Sequence, residues 1–203
     1  MSVMPQFPLG TVLFPTMLLP LHVFEPRYRT MVTDVLDGDG AFGVVLIERG
    51  SDVGGDDHRS GFGTVAKVVE AEEFSDGRWA LLTVGTERFR VTEWLDDDPY
   101  PKAATEPWPD ADGPLAIDHY TEVSAKFRRC MALAAESGLN VGPLPETVDD
   151  ASLGCMQMAA LAPVTSHDKQ MLLGAPTVAE RLRLLDQMID ESVQLIEARL
   201  TGL

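Results

Sequence analysis

The feature that most constrains this chain is an apolar stretch over residues 7–28, which prolines interrupt at Pro8, Pro15 and Pro20. A proline has no backbone N–H and breaks a helix interior, so neither a long helix nor a membrane span can be built from this stretch. Two short strands are predicted instead. In the second, apolar residues occupy odd and even positions from 18 to 24, so we expect both of its faces to be buried. Because Pro20 cannot donate to a ladder, this strand is predicted at an edge or beside a bulge.

The charge of the chain limits the partners it can have. Its 203 residues are long enough for one large domain or two modest ones, and 45% of them are hydrophobic. Sixteen Lys and Arg against 32 Asp and Glu give a formal net charge of -16. A field of this sign repels phosphate backbones and anionic membrane surfaces, so we expect neither a nucleic acid nor a membrane as partner.

The expected compartment follows from the cysteines and the amino terminus. Two cysteines, Cys130 and Cys155, are too few for the dense pattern of a secreted disulfide scaffold. The first residues show no basic region ahead of an apolar run and no small-residue cleavage site, so no secretory signal is recognised. The sequence therefore favours a cytoplasmic protein.

After the apolar stretch, the sequence predicts one helix and a series of short strands. Residues 25–36 carry apolar side chains at helical spacing, with Pro26 suited to the first turn and Gly38 just past the end. The pair Asp76-Gly77 marks a tight hairpin, because such a turn needs residues that tolerate positive φ. The predicted strands lie at residues 42–47, 62–74, 79–84 and 87–94, and a surface loop at 51–60. Short strands at this spacing predict a small, mainly antiparallel barrel or sandwich.

A change of composition predicts a domain boundary near residues 110–114. Residues 96–114 contain a run of three aspartates and, in addition, five prolines. This composition leaves little chance of a regular element in the later part of that segment. We therefore expect a barrel subdomain over residues 1–112 and a helical subdomain over 113–203 that caps or flanks it.

Within residues 113–203 the hydrophobic period becomes helical. Asp118 is expected to cap the first helix, Asp149 or Asp150 the second, and a capping box of Thr177 and Glu180 the last. The last helix also carries an apolar stripe at three- and four-residue steps. The predicted helices span about residues 118–138, 150–162, 166–173 and 177–200, with a proline-containing connector at 141–148.

Motifs for catalysis, metal binding or nucleotide binding are not found. The nearest approach to a phosphate loop, Gly61-Phe62-Gly63, begins a predicted strand and favours a bulge or turn. The four histidines lack metal-ligand spacing, and at Asp56-Asp57-His58 a solvated loop is favoured over a loose cation site. Both cysteines are expected to act as small hydrophobes, although neighbouring arginines would lower the pKa of Cys130 if it were exposed. We expect no metal, no cofactor and no enzymatic activity.

Glu25 and Arg27 differ from the other charged residues because they lie directly against the apolar stretch. In one interpretation, Glu25 caps the predicted helix or pairs with Arg27 or Arg29 to orient it. In the other, Glu25 and Arg27 rim an apolar groove at the edge strand.

Several segments carry a family resemblance when they are taken in order: Phe7-Pro8-Leu9, Phe14-Pro15, Leu19 to Tyr28, Phe42 to Val45, Gly63 to Ala66, Gly85 to Val91, Ala175-Pro176-Thr177 and Glu180-Arg181-Leu182. Together they resemble the Lon N-terminal domain family, the substrate-recognition module of the ATP-dependent Lon protease. The resemblance covers about residues 5–200. Thr16 departs from it, since relatives often carry glycine after the Phe-Pro pair.

The resemblance implies an α+β fold: a PUA-like, mainly antiparallel β pseudobarrel followed by a C-terminal α-helical subdomain. It also implies a recognition module alone, because the ATPase and serine-lysine protease domains of Lon would need several hundred further residues.

We therefore expect a non-catalytic protein that binds unfolded or exposed polypeptide segments or a protein partner. Binding would proceed by strand addition at the proline-marked edge, with the helical subdomain forming one wall. A PUA-like RNA- or nucleotide-binding module is the alternative, which the charge disfavours. The oligomeric state stays open. The candidate binding residues are Phe14, Leu19, Phe24, Glu25, Arg27 and Tyr28.

Overall fold

The computed structural model describes residues 2–49, 58–114, 117–144 and 148–201. The chain divides into two compact units, a barrel unit over Met1–Pro109 and a helical unit over Asp110–Leu203. The barrel unit contains β1 (Ser2–Leu9), β2 (Leu18–Val23), α1 (Pro26–Asp37), β3 (Ala41–Arg49), β4 (His58–Glu73), β5 (Trp79–Trp94) and β6 (Lys102–Pro107). The helical unit contains α2 (Ile117–Glu136), α3 (Ala151–Leu161), α4 (Ser166–Gly174) and α5 (Val178–Leu200).

The six strands form one mixed sheet in the order β2-β5-β4-β3-β1-β6, and a further pairing of β5 with β6 closes five of them into a ring. The pair β1–β3 is parallel, and the other pairs are antiparallel. This architecture confirms the predicted α+β class and the mainly antiparallel barrel. Within the described residues, β2 pairs with β5 alone, so it is an edge strand, as Pro20 predicted.

Strand β5 is continuous, and the prediction of two strands separated at Gly85 is wrong. Its first half pairs with β2 and its second half with β6, so one edge of a single strand serves two neighbours. Gly85 lets the strand pass close to the loop before β2, because a Cβ there would lie 2.3 Å from the Phe14 carbonyl oxygen. The Gly85 N–H donates to the Met17 carbonyl at 2.9 Å and fixes this approach.

Strand β6 lies in the proline-rich segment and extends into its later part, where little chance of a regular element was expected. Prolines flank it: Pro101 precedes the strand and Pro107 is its last residue, so residues 102–106 keep their backbone donors. These residues pair with β1 on one side and β5 on the other. The proline content of the whole segment is therefore a poor guide here, because residues 102–106 contain no proline and are long enough for a strand.

The hairpin between β4 and β5 is confirmed. Gly77 adopts a φ of +79°, and the Phe74 N–H donates to the Arg78 carbonyl at 2.8 Å across the turn. Strand β4 already begins at His58, so the end of the predicted loop is strand instead. Residues 51–57 of that loop, including Asp56 and Asp57, lie outside the described residues.

Helix α1 begins and ends within a residue of its prediction and supplies the core of the barrel unit. Its buried residues Met31 and Val32 share one apolar cluster with Leu21 of β2 and Leu81 of β5. Aromatic rings add to this core, since Phe7 and Tyr28 lie 4.4 Å apart between centroids. The side of the sheet that faces α1 is therefore its inner face.

Two of the predicted caps in the helical unit are formed differently. The Asp150 carboxylate accepts hydrogen bonds from the Ser152 and Leu153 N–H groups at the start of α3, as predicted. Asp118 does not precede α2 but lies in its first turn. Thr177 accepts from the Glu180 N–H, but the Glu180 carboxylate pairs with Arg183, so only half of that capping box is present. The reciprocal box is formed by Thr165 and Asp168 at α4. Residues 145–147 of the predicted connector lie outside the described residues.

A buried ion pair joins the start of the helical unit to α5. The Arg181 side chain is fully buried and contacts Asp110 through two nitrogens, at 2.6 and 3.3 Å. Its Nε donates to the Leu172 carbonyl at 3.0 Å, and the Ser152 hydroxyl donates to Asp110 at 2.6 Å. Sequence reasoning did not single out this pair, because its partners are 71 residues apart.

Candidate functional site

Strand β2 exposes one of its faces. Leu21 and Val23 are 8% and 2% exposed, and Leu19 packs partly against the core. Leu18, in contrast, is 61% exposed, and Pro20 and His22 are also exposed. The expectation that both faces are buried is therefore wrong, because α1 covers only the inner face.

Strand pairing extends this exposed face across three strands. Pro20 lies beside Leu82 of β5, which lies beside Glu70 of β4, and His22 continues in the same way through Ala80 to Glu72. Directly paired residues point to the same side of a sheet. We call this surface the outer sheet face; it consists of Leu18, Pro20 and His22, of Ala80, Leu82 and Val84, and of Lys67, Glu70 and Glu72.

The free edge of β2 offers backbone hydrogen-bonding groups. The Gly85 N–H and the Thr83 hydroxyl donate to the carbonyls of Met17 and Leu19, which places the odd-numbered carbonyls on the β5 side. Backbone groups alternate along a strand, so those of the even-numbered residues point to the free edge. Pro20 is one of them, and its missing N–H therefore interrupts no bond to β5. The edge offers N–H groups at Leu18 and His22 and carbonyls at all three even positions.

A small cavity of about 210 Å³ lies where β2 ends beside the hairpin. Phe24 is 56% exposed and Phe74 is 37% exposed, so the wall of the cavity is largely aromatic. The Arg78 guanidinium lies 6.0 Å from the centre of the Phe74 ring. The lining residues are His22, Val23, Phe24, Phe74, Arg78 and Trp79.

Two of the predicted binding residues belong to the core instead. Phe14 is fully buried and Tyr28 is 3% exposed, so neither presents a surface to another chain. Phe14 is buried because Gly85 lets β5 approach its backbone, and Tyr28 because it faces inward from α1. Phe24 does lie at the surface, whereas Leu19 is half-buried and packs against the core.

Glu25 and Arg27, which follow Phe24 along the chain, form an ion pair of 3.0 Å. Glu25 precedes α1, but its side chain makes no capping hydrogen bond, so pairing rather than capping is its observed role. The Arg27 guanidinium also lies 4.6 Å from the centre of the Tyr28 ring. The pair fixes the start of α1 next to the end of β2.

The outward apolar residues Leu18, which is exposed, and Leu82, which is half-buried, were missed as site residues, because periodicity alone does not indicate which face of β2 is covered. Val69, which is 54% exposed, occupies a bulge in β4 and was missed for the same reason. Only the strand pairing reveals that Leu18 and Leu82 lie on one surface.

The described residues show neither an exposed cysteine nor a cluster of metal ligands. Cys130 and Cys155 are buried, and burial raises the pKa of both thiols, that of Cys155 to about 12. Burial lowers the pKa of Lys169, whose ammonium donates to the Ala160 carbonyl at the end of α3. In the described part of the chain, no three His, Cys, Asp or Glu side chains come together as metal ligands. No helix among these residues is long and apolar enough to cross a bilayer.

A second surface of the barrel unit combines arginine with tryptophan. The Arg59 and Arg90 guanidinium groups lie 5.1 Å from the ring centres of Trp94 and Trp108, respectively. Arg59 is paired with Asp97 and Arg90 with Glu106, so carboxylates neutralise both cations. A neutralised surface of this kind offers little attraction to a phosphate backbone.

Comparison with known proteins identifies the family. The model of the ATP-dependent protease La (LON) substrate-binding domain matches residues 3–191. Lon protease of Dictyoglomus thermophilum is 25% identical over 97% of this chain, and Lon protease 2 of Herpetosiphon aurantiacus is 26% identical over 96%. The chain spans about a quarter of the length of these relatives, 25% and 24%, respectively.

Solved structures agree with this match. A Lon N-terminal domain protein from Xanthomonas campestris is 26% identical, with a TM-score of 0.69 over 91% of this chain and 97% of its own. The N-terminal domain of the Mycobacterium avium complex Lon protease shares the fold, with a TM-score of 0.64, 17% identity, and coverage of 94% and 99%. The chain therefore belongs to the family of the Lon protease substrate-binding domain.

Proposed function

We propose that this chain is a non-catalytic recognition protein that binds exposed or unfolded segments of other polypeptides. The observation that carries the proposal is the free edge of β2, which combines unpaired backbone groups with an exposed apolar side-chain face. Membership of a substrate-binding domain family supports the same function. The chain would act as an adaptor that holds a segment, while any cleavage would depend on another protein.

Strand addition gives the proposal a geometry. An extended segment beside β2 would donate hydrogen bonds to the free carbonyls and accept them from the Leu18 and His22 N–H groups. Its outward side chains would continue the outer sheet face. At the end of β2, the cavity between Phe24 and Phe74 would accept one apolar side chain of the segment.

Fluorescence anisotropy with a labelled, permanently unfolded model protein tests this function. We expect saturable binding by the wild-type chain. Pro20→Val adds one N–H to the free edge and keeps an apolar side chain at this position. One more hydrogen bond of about 1 kcal/mol between the chain and the bound segment should tighten binding about fivefold. Phe24→Ser should weaken binding, because it removes the aromatic wall of the cavity.

Val3→Ser is the matched control, since Val3 is a similarly exposed apolar residue, 63% exposed, on β1. It should leave the affinity unchanged. Absence of saturable binding at several hundred micromolar would refute the proposal. Tight binding of single-stranded RNA at low salt, without binding of unfolded protein, would favour the nucleic-acid alternative instead.

A further inference from the structure

We propose that the outer sheet face also docks an amphipathic helix that carries Lys or Arg along one flank. This ligand differs from the extended segment proposed for the β2 edge, because it lies over the side chains of three strands rather than beside the backbone of one.

The apolar character of both sheet faces carries the first step. In an antiparallel sheet with one face in water, apolar residues point inward and polar residues outward. In β2 and β5, Leu21 and Leu81 point inward, but Leu18, Leu82 and Val84 point outward. This is the pattern of strands covered on both sides. In the structure, the outward Leu18 is 61% exposed, whereas Leu82 and Val84 are half-buried, so the described residues leave part of this second side uncovered.

The dimensions of the surface carry the second step. Three neighbouring strands span roughly 10 Å between the outer two, which matches the diameter of one helix. The six residues of β2 extend for roughly 20 Å, the length of a helix of about 13 residues. A single helix would therefore cover the outer sheet face.

Charge at one border sets the chemistry of that helix. Glu70 and Glu72 of β4 are exposed, and neither carboxylate forms an ion pair or a hydrogen bond with another described side chain. Lys67 of the same strand, paired with Val84, is exposed too, but its ammonium donates to the Asp39 carbonyl. The two carboxylates therefore outnumber the one cation at this border. The β2 border carries no acidic residue between Leu18 and Val23. A docked helix would thus place its apolar stripe over β5 and β2 and its Lys or Arg residues over β4, which fixes its orientation.

Two helical peptides of 14 residues with the same apolar stripe test the inference. One carries lysines on the flank and the other carries glutamates at the same positions. In titrations at low salt, we expect the lysine peptide to bind at least tenfold more tightly. The difference should shrink at high salt, because the carboxylates lie at the surface.

Protein variants locate the site. Glu70→Gln with Glu72→Gln should remove the preference for the lysine peptide, whereas Glu87→Gln with Glu93→Gln, exposed glutamates elsewhere on β5, should preserve it. Leu82→Asn should abolish binding of both peptides. If circular dichroism shows that the Leu82 variant does not fold, Leu18→Ser at a more exposed position tests the same surface and should abolish binding in the same way.

The results also separate this inference from the proposed function. Phe24→Ser should weaken binding of an extended segment but leave the helical peptide unaffected, because Phe24 lies outside the outer sheet face. Equal affinities for the two helical peptides, or an unchanged preference in the Glu70 and Glu72 variant, would overturn the inference. Binding of extended segments without binding of either helix would overturn it too, while leaving the proposed function intact.

Discussion

Thr16 adopts a φ of +69° in the loop before β2, and it is the one described residue other than glycine with a positive φ. Its N–H donates to the Gly85 carbonyl at 2.7 Å, so pairing with β5 imposes this conformation. The left-handed region costs roughly 1–2 kcal/mol for a residue with a Cβ. The resemblance to Lon domains had marked this position as one where glycine is common, and the backbone supplies the reason.

Replacing Thr16 by glycine should therefore stabilise the protein. Relief of the strain outweighs the greater freedom of glycine in the unfolded chain, and we expect the free energy of unfolding to rise by about 0.5–1 kcal/mol. Urea denaturation measures the change. Thr11→Gly, in the same loop but without positive φ, should lower the stability instead. A loss of stability for both variants would show that Thr16 is not strained.

Tyr100 makes the stability sensitive to alkaline pH. Burial, together with a hydrogen bond of 2.8 Å from its hydroxyl to Asp34, raises the pKa of Tyr100 from 10 to about 12. Below pH 10 the phenol is protonated in both the folded and the unfolded chain. Between pH 10 and 12 only the unfolded chain loses this proton, so the folded state should lose stability as the pH rises.

The urea midpoint of Tyr100→Phe, measured at pH 9 and at pH 11.5, tests this effect. The variant should lose a smaller part of its stability between the two values than the wild type, because it has no phenol to ionise. The same loss in both proteins would assign the alkaline sensitivity to other groups, such as Tyr120, whose pKa burial also raises.

At the scale of elements, a buried ion pair holds α5 in place. Asp110→Ala would leave the fully buried Arg181 guanidinium without its charge partner, and we expect a loss of roughly 3 kcal/mol in the free energy of unfolding. Thermal and urea denaturation measure it. Glu180→Gln removes an exposed ion pair with Arg183 on the same helix and should leave the stability close to that of the wild type. Similar effects of the two substitutions would contradict this ranking.

At the scale of the whole molecule, we expect the barrel unit to fold by itself. Its ring of strands is closed by pairing within Met1–Pro109, and α1 and the sheet share one apolar core in that unit. A fragment of residues 1–109 should therefore unfold cooperatively in urea. The Pro20→Val variant of this fragment should bind unfolded protein as tightly as the Pro20→Val variant of the whole chain. A fragment without a cooperative transition would show that the barrel needs the helices.

The net charge of -16 acts on the whole molecule as well. Like charges destabilise a compact state through repulsion, which salt screens. The same field attracts basic ligands over a long range, so the rates of their association should fall as the ionic strength rises. Binding of basic ligands in either mode should therefore be strongest at low salt.

The sequence by itself determined the elements whose cause is local. Pro20 lacks a ladder donor and so marks an edge strand, Gly77 tolerates the positive φ of the hairpin, and Asp150 caps α3 through neighbouring N–H groups. Each of these effects acts within a few residues, so composition and spacing suffice to predict it. Family resemblance extended the prediction to the α+β class.

Only the tertiary structure decided which surfaces are open. The continuity of β5, the existence of β6 and the burial of Phe14 depend on pairing between distant segments, such as Ser2 with Thr105. The apolar pattern of β2 is the same whether one face or both faces are covered, because periodicity reports the character of side chains and not their neighbours. The outer sheet face could therefore not be predicted from the sequence, because its exposure depends on α1 packing against the opposite side of the sheet.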